Sequence, residues 1–231
     1  IVLTMNARDV RDATEEYPVP EEHFDDYTTT KKQAEKLVLQ ANGGSLATAV
    51  VRPAAVYGWG DKIVSDDLAA GKNLIWIGKG DCLIDWVHVL SVARGHVLAL
   101  KHLPGVASGQ IYNIGNGKPT PYRKFIGDGT SCPGSPGLCH WGHRPPFSVP
   151  VKAVYFAAML NELSHAVTGT AMLGGVLTRF AIDFTQRTYF FSIDKARREL
   201  GYEPVFGGDL AASVHQIVEH HKKVREAKKR K

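Results

Sequence analysis

A helix that stops on glycine and is followed at once by a short apolar strand most restricts how this chain can fold. Asp25 and Asp26 stand where an N-cap and a first-turn acid belong. Ala34, Leu37, Val38 and Ala41 then recur at i, i+3, i+4 and i+7, which puts them on one helical face. Asn42-Gly43-Gly44 supplies a left-handed stop. Leu46 to Val51 is apolar and β-branched and ends at Arg52-Pro53, so it reads as a strand. A helix that runs directly into such a strand is an αβ unit of a parallel sheet. The fold class is therefore α/β.

More of the same alternation follows. Tyr57-Gly58-Trp59-Gly60-Asp61 is a turn-rich loop at the C-terminal end of that strand, where open α/β sheets bind ligands. Leu74 to Ile77 and Gln110 to Ile114 read as further strands, the first closed by Gly78-Lys79-Gly80 and the second by Gly115-Asn116-Gly117. A helix is expected from about Ser91 to Leu103. Residues 5–25 carry Pro18 and Pro20 among charged side chains and read as an extended loop. Gly127 to Gly142 has no period. Val149 to Val167 is strongly apolar, but Lys152, Asn161 and Glu162 interrupt it, which suits a buried or interfacial helix better than a membrane span. Ser192 or Asp194 caps a short helix stopped by Gly201, and Asp209 caps the last one. Three regions result: a partial sheet domain over 1–126, an irregular insertion over 127–148, and a mostly helical region with a basic tail over 149–231. The chain opens on Ile1-Val2-Leu3-Thr4, which reads as the end of a buried strand. This predicts further coding sequence upstream.

Charge is concentrated at one end. The net charge is +5, yet residues 222–231 hold seven Lys or Arg against Glu226, so the rest of the chain is close to neutral. Nucleic-acid readers spread basic residues over a folded face. A terminal basic helix instead suits a solvated end, or contact with an anionic membrane surface. Three cysteines argue against a disulfide framework and for a reducing compartment. Cys132, Cys139, His140 and His143 fit no standard zinc spacing, and His215, His220 and His221 lack a His-Glu-x-x-His pattern, so no metal is expected.

Tyr27 and Lys31 carry the candidate chemistry. Four residues apart at a helix start, they stack on one face. A free phenol, with a pKa near ~10, is a weak base at neutral pH. A cation held beside it favours the phenolate. Such a phenol can take a proton from an alcohol while hydride leaves the carbinol carbon. No side chain accepts hydride, so a nicotinamide cofactor is implied. By spacing alone the motif is a weak one that chance supplies often, and an amphipathic tyrosine beside a solvated lysine is the better reading.

Its context decides between these. The run from Tyr27-Thr28-Thr29-Thr30-Lys31 to Gly43 resembles the active-site helix of extended short-chain dehydrogenases, above all the 3β-hydroxysteroid dehydrogenase/isomerase-like branch that includes sterol-4α-carboxylate 3-dehydrogenases. Arg52-Pro53-Ala54-Ala55-Val56-Tyr57-Gly58 is similar to that branch's Arg-Pro…Tyr-Gly segment, Asp85-Trp86-Val87-His88-Val89 to its (Asp/Glu)-Phe-Val-His-Val block, and Phe191 to Tyr202 to its C-terminal helix. The resemblance implies the C-terminal part of a Rossmann-like parallel sheet with a smaller, mostly helical substrate-binding region. It also implies NAD or NADP as cofactor and oxidation of a 3β-hydroxyl on a steroid or sterol. Carried over, Tyr27 is the general acid/base, Lys31 holds the nicotinamide ribose, Pro53 passes beside the nicotinamide, and Tyr57 leans toward the substrate.

Departures accompany the likeness. No G-x-x-G-x-x-G fingerprint occurs anywhere in the chain. Thr4 stands roughly where the branch has its catalytic serine or threonine, but a strand-end threonine needs no such role. Residues 127–145 break the pattern altogether. Lys228 and Lys229 stand fourth and third from the end, like a dilysine endoplasmic-reticulum retrieval signal, or as part of a generic basic end. The expectations are a sterol enzyme on the cytosolic face of the endoplasmic reticulum membrane (otherwise cytoplasmic), membrane contact through 149–167 and the basic end, and a homodimer. The rivals are an inactive fragment or binding partner, and another extended branch such as sugar epimerases or flavonoid reductases.

Overall fold

The computed structural model describes residues 8–21, 26–61, 76–126, 148–170 and 177–229. In chain order these form β1 (Val10–Ala13), α1 (Asp26–Gln40), β2 (Val50–Pro53), β3 (Ala55–Tyr57), β4 (Trp76–Ile77), β5 (Leu83–Ile84) and β6 (Trp86–His88). They continue with α2 (Val89–Lys101), β7 (Ile111–Ile114), β8 (Thr120–Pro121), α3 (Tyr122–Ile126), β9 (Ser148–Val149), α4 (Val151–Thr168), α5 (Arg179–Gln186), β10 (Tyr189–Phe191), α6 (Asp194–Leu200) and α7 (Leu210–Lys229). The proposed strand at Ile1-Val2-Leu3-Thr4, the cap Asp25 and the cysteines and histidines of 127–147 lie outside the described residues.

The strand expected after α1 forms, but four residues later than its apolar run begins. Gly43 and Leu46 exchange two backbone hydrogen bonds, at 2.9 and 3.0 Å, closing a tight turn on the positive φ of Gly43 and Gly44. Leu46 is spent in that turn and stays 54% exposed. β2 then pairs in parallel with β7, from Val50↔Ile111 to Pro53↔Ile114. Pro53 is tolerated as the last residue of the strand because of the ladder's phase. Val50 and Ala54 donate to Gln110 and Ile114 of the β7 side, so the missing N–H of Pro53 falls on the opposite edge.

Two coordinated bends follow. β2 gives way to β3 at Ala54, and β5 gives way to β6 at Asp85, with Ala55 N–H donating to the Asp85 carbonyl at 3.1 Å. β3 pairs in parallel with β6. β5 lies between β10 and β8 in the order β1-β10-β5-β8, parallel to β10 and antiparallel to β8. Every described pairing except β5 with β8 is parallel, as expected for the sheet. β1 is new relative to the sequence reading, which made 5–25 a loop. Its three-residue step from Val10 to Ala13 spans a two-residue step on β10, a bulge at which Asp12 takes φ 48.

Two apolar clusters flank these strands. Trp86, with Tyr57, Ile84, Phe125, Tyr189, Phe191, Val214 and Ile217, fills one, and the Trp86 and Phe125 rings stack at 3.7 Å. Val87, with Ala99, Tyr112, Ile114, Ala196, Leu200 and Tyr202, fills the other. Adjacent residues of β6 thus serve opposite faces. α2 begins two residues before Ser91 because His88 is its N-cap, its Nδ1 accepting from Leu90 N–H at 3.2 Å. α6 ends on Gly201 at φ 63, as its sequence indicates.

α1 departs from expectation. Its stripe is helical, yet Leu37 is 65% and Val38 39% exposed, and Thr28 is its buried residue. Polar groups hold it instead: Thr48 Oγ1 donates to the Val38 carbonyl at 3.0 Å, and Glu35 engages Arg52. α4 also carries an uncovered stripe of Phe156, Met159, Leu160, Leu163 and Val167, at i, i+3, i+4, i+7 and i+11. No helix among the described residues is long and apolar enough to cross a membrane.

Candidate active site

Tyr27 is the second residue of α1 and is 57% exposed. One turn later the Lys31 ammonium sits 5.6 Å from the centroid of its ring, within cation–π reach. The neighbouring lysine is engaged elsewhere: Lys32 Nζ donates to the carbonyls of Pro20 and Glu21, at 2.6 and 2.8 Å. That tether fixes the 20–21 loop beside α1 and leaves Lys31 as the cation facing the phenol. Thr30 Oγ1 donates to the Tyr27 carbonyl at 2.9 Å, satisfying an acceptor in the first turn. An exposed phenol with a cation one turn away can move a proton to or from an alcohol oxygen.

Behind this pair lies a cluster that sequence reading did not assign. Arg52 is 5% exposed and grips Glu35 with both arms of its guanidinium, Nε to Oε2 at 2.8 Å and Nη2 to Oε1 at 2.5 Å. A third arm reaches the Glu15 carbonyl at 3.4 Å. The Glu15 carboxylate in turn accepts from Asn113 N–H at 2.7 Å, and Asn113 Nδ2 donates to the Ala13 carbonyl at 3.3 Å. Glu35 follows Lys31 by four residues, so the spacing Tyr-x-x-x-Lys-x-x-x-Glu was visible. Its partner, 17 residues on in the strand, was not.

Pro53 is half-buried at the end of β2, directly after Arg52. Tyr57 is fully buried. Ser213 Oγ donates to the Leu210 carbonyl, so the Tyr57 hydroxyl is the donor in its bond to Ser213 Oγ. Burial pushes the Tyr57 phenol up to about 12, so it stays neutral. A direct contact between this side chain and a ligand does not follow from such packing. Trp59, 37% exposed, is the aromatic that the same loop presents at the surface. His88 lies beneath it, edge-on to Tyr57, Trp59 and Phe206 at 5.4, 5.8 and 4.9 Å. Burial pushes its imidazole down to about 4, so it is neutral, with its proton on Nε2 among those rings.

Asp85, at the bend between β5 and β6, organises the turn after β7. Its carboxylate accepts from Asn116 N–H at 3.1 Å and Gly117 N–H at 3.3 Å. The Tyr202 hydroxyl donates to the Gly115 carbonyl at 2.9 Å from the other side. Burial pushes the Asp85 carboxyl up to about 6, against the opposing pull of those two N–H donors. Among the described residues no group of three or more His, Cys, Asp or Glu is placed to hold a metal.

Known proteins resemble this chain in sequence and in fold. Residues 1–128 match the sequence profile of the 3-beta hydroxysteroid dehydrogenase/isomerase family. A mouse protein, short-chain dehydrogenase/reductase family 42E member 1, is 35% identical over 200 residues, covering 79% of this chain and 48% of its own. Mouse sterol-4-alpha-carboxylate 3-dehydrogenase, decarboxylating, is 29% identical over 236 residues, covering 96% of this chain and 63% of its own. The chain thus spans about half to two-thirds of the length of such relatives. Among solved structures, gox2253 aligns with a TM-score of 0.62 at 25% identity, over 95% of this chain and 64% of that one. The dTDP-glucose 4,6-dehydratase DesIV of Streptomyces venezuelae, solved with NAD and TYD, aligns with a TM-score of 0.61 at 22% identity, over 94% of this chain and 56% of that one, and shares the fold. The profile covers more than half of the residues, and the αβ unit that carries Tyr27 and Lys31 lies inside it: the chain belongs to the 3-beta hydroxysteroid dehydrogenase/isomerase family.

Proposed function

We propose that the protein carrying this chain is an NAD- or NADP-dependent oxidoreductase that oxidises the 3β-hydroxyl of a steroid or sterol, with Tyr27 as its general acid/base. The observation that carries the reading is the exposed Tyr27 phenol with the Lys31 ammonium 5.6 Å from its ring, in a chain of this family. Tyr27 Oη takes the hydroxyl proton of the alcohol. Lys31 offers N–H donors to a ribose. A bound nicotinamide supplies the acceptor for the hydride that leaves the carbinol carbon, so the products are a ketone and the reduced cofactor. In the reverse direction Tyr27 returns the proton to the carbonyl oxygen.

The residues present fit the nicotinamide-ribose half of such a cofactor, with Tyr27 and Lys31 on one turn and Pro53 next to Arg52 at the end of β2. The chain's sequence has no glycine fingerprint, so none of its residues is assigned to the pyrophosphate. Sterol, rather than sugar, is favoured by the apolar stripe of α4 and by relatives whose names specify sterols. We further infer that this stripe and the basic end of α7 meet an anionic membrane surface, which suits the endoplasmic reticulum. Tyr27→Phe tests the chemistry in the natural full-length polypeptide, assayed with a 3β-hydroxysteroid and either cofactor. Turnover is expected to fall by about 10²- to 10⁴-fold. Undiminished turnover would sink the assignment.

A further inference from the structure

We propose that Glu35 and Arg52 are positioning residues for the reaction, a buried clamp that sets the rotation of α1 and so the placement of Tyr27 and Lys31. The inference rests on the catalytic reading of that pair. α1 has little apolar grip on the described residues, since Leu37 and Val38 are exposed and Thr28 is its buried residue. A helix held by apolar packing has many shallow contacts resisting rotation. Here a single two-armed contact ties α1 to β2, beside the buried Thr28. Arg52 is 5% and Glu35 13% exposed, and the planar guanidinium meets the carboxylate through Nε and Nη2 together. Such a fork fixes direction as well as distance, which a lysine ammonium in the same place would not.

Both ends of the clamp are themselves anchored. Arg52 is the third residue of β2, in register with Asn113 of β7. Glu15 joins the two, accepting from Asn113 N–H through its carboxylate and from Arg52 through its carbonyl. On α1, Glu35 follows Lys31 by one turn and Tyr27 by about two. A small rotation of the helix at Glu35 is therefore carried to the phenol. Pro53 directly follows Arg52, so one strand end holds both the clamp and the residue assigned to the nicotinamide side.

The experiment uses the natural full-length polypeptide with Glu35→Gln and a double variant, Glu35→Met with Arg52→Met. Replacing a buried ion pair by matched apolar side chains commonly restores stability, whereas removing one partner does not. Glu35→Gln is expected to lower kcat by about 10- to 100-fold, the cost of a misplacement on the order of 1 Å, with KM for the alcohol within about twofold. The double variant is expected to recover the melting temperature and leave kcat low. If it recovers kcat along with stability, or if Glu35→Gln leaves kcat unchanged, the clamp is a stability contact and the proposal is overturned. Tyr27→Phe, assayed beside them, separates the two readings. Full activity there removes the catalytic pair itself, whereas a dead Tyr27→Phe with active clamp variants overturns the clamp alone.

Discussion

Asp85→Asn should flatten part of the pH dependence of stability by an amount the structure specifies. The carboxyl is 1% exposed, and burial raises it from 3.8 to about 6. A raised folded-state pKa means that the folded protein holds its proton more tightly than the unfolded chain does. The resulting stability is fully present below about pH 4 and is lost as pH rises through about 6. A difference of about two units corresponds to about 3 kcal/mol. Asparagine cannot titrate, but its Oδ1 can still accept from Asn116 and Gly117. The absolute offset of Asp85→Asn depends on where its NH₂ finds an acceptor, so the test is the change of that offset with pH. Urea unfolding followed by tryptophan fluorescence, at steps from pH 4 to pH 7.5, should show the variant gaining on the wild type by about 3 kcal/mol. In thermal melts the same gain is about 6–12 °C for a chain of this size. A flat difference would mean that burial does not raise this carboxyl. A difference of opposite sign would mean that the Asn116 and Gly117 donors outweigh burial.

Gly115→Ala would drive a Cβ into Asp85 Oδ2 and place it 3.4 Å from Ile193 Cγ2, and should cost about 1–3 kcal/mol by overpacking, read as a lowered urea midpoint. In a cycle with Asp85→Ala the two losses should be less than additive, and strict additivity would refute the contact as the cause. Phe156→Ser with Leu163→Ser should reduce co-sedimentation with phosphatidylserine-containing vesicles by at least about tenfold, given the apolar area each side chain would bury in lipid. Binding that survives both substitutions but vanishes at high salt would assign the contact to the basic end alone.

What could be read ahead of the structure was local. The Tyr27–Lys31 pair needs only helical spacing, and the end of α6 needs only Gly201, whereas its N-cap is Ile193, which makes no side-chain cap bond, and not Ser192 or Asp194. β7 could be read from Gln110 to Ile114 because Ile111, Tyr112 and Ile114 stand against a glycine turn. The α4 helix was read to within two residues because its apolar run is long. β1 was missed because Val10-Arg11-Asp12-Ala13 has no strand pattern of its own, and residues 189–191 supply its ladder. The late start of β2 was missed because Leu46 is apolar yet spent in a turn that Gly43 and Gly44 permit. The apolar stripe of α1 was read correctly as helical, but a periodicity says which residues share a face and not what covers it. Arg52 carried a family resemblance and no role, since its meaning lies in a fork onto Glu35 and a carbonyl at residue 15.

The two apolar clusters are divided at β6, where Trp86 and Val87 turn to opposite sides. Three residues of one strand therefore act as a party wall between two rooms. Sequence drift in either room can proceed against its own furniture while the wall stays put, and the backbone of β6 is bolted to β3 on its flank. The block Asp85-Trp86-Val87-His88 is where the two rooms must agree. Its four side chains face a turn, one core, the other core and a helix start, so each answers to a different neighbour, and the segment has little freedom to change one residue at a time.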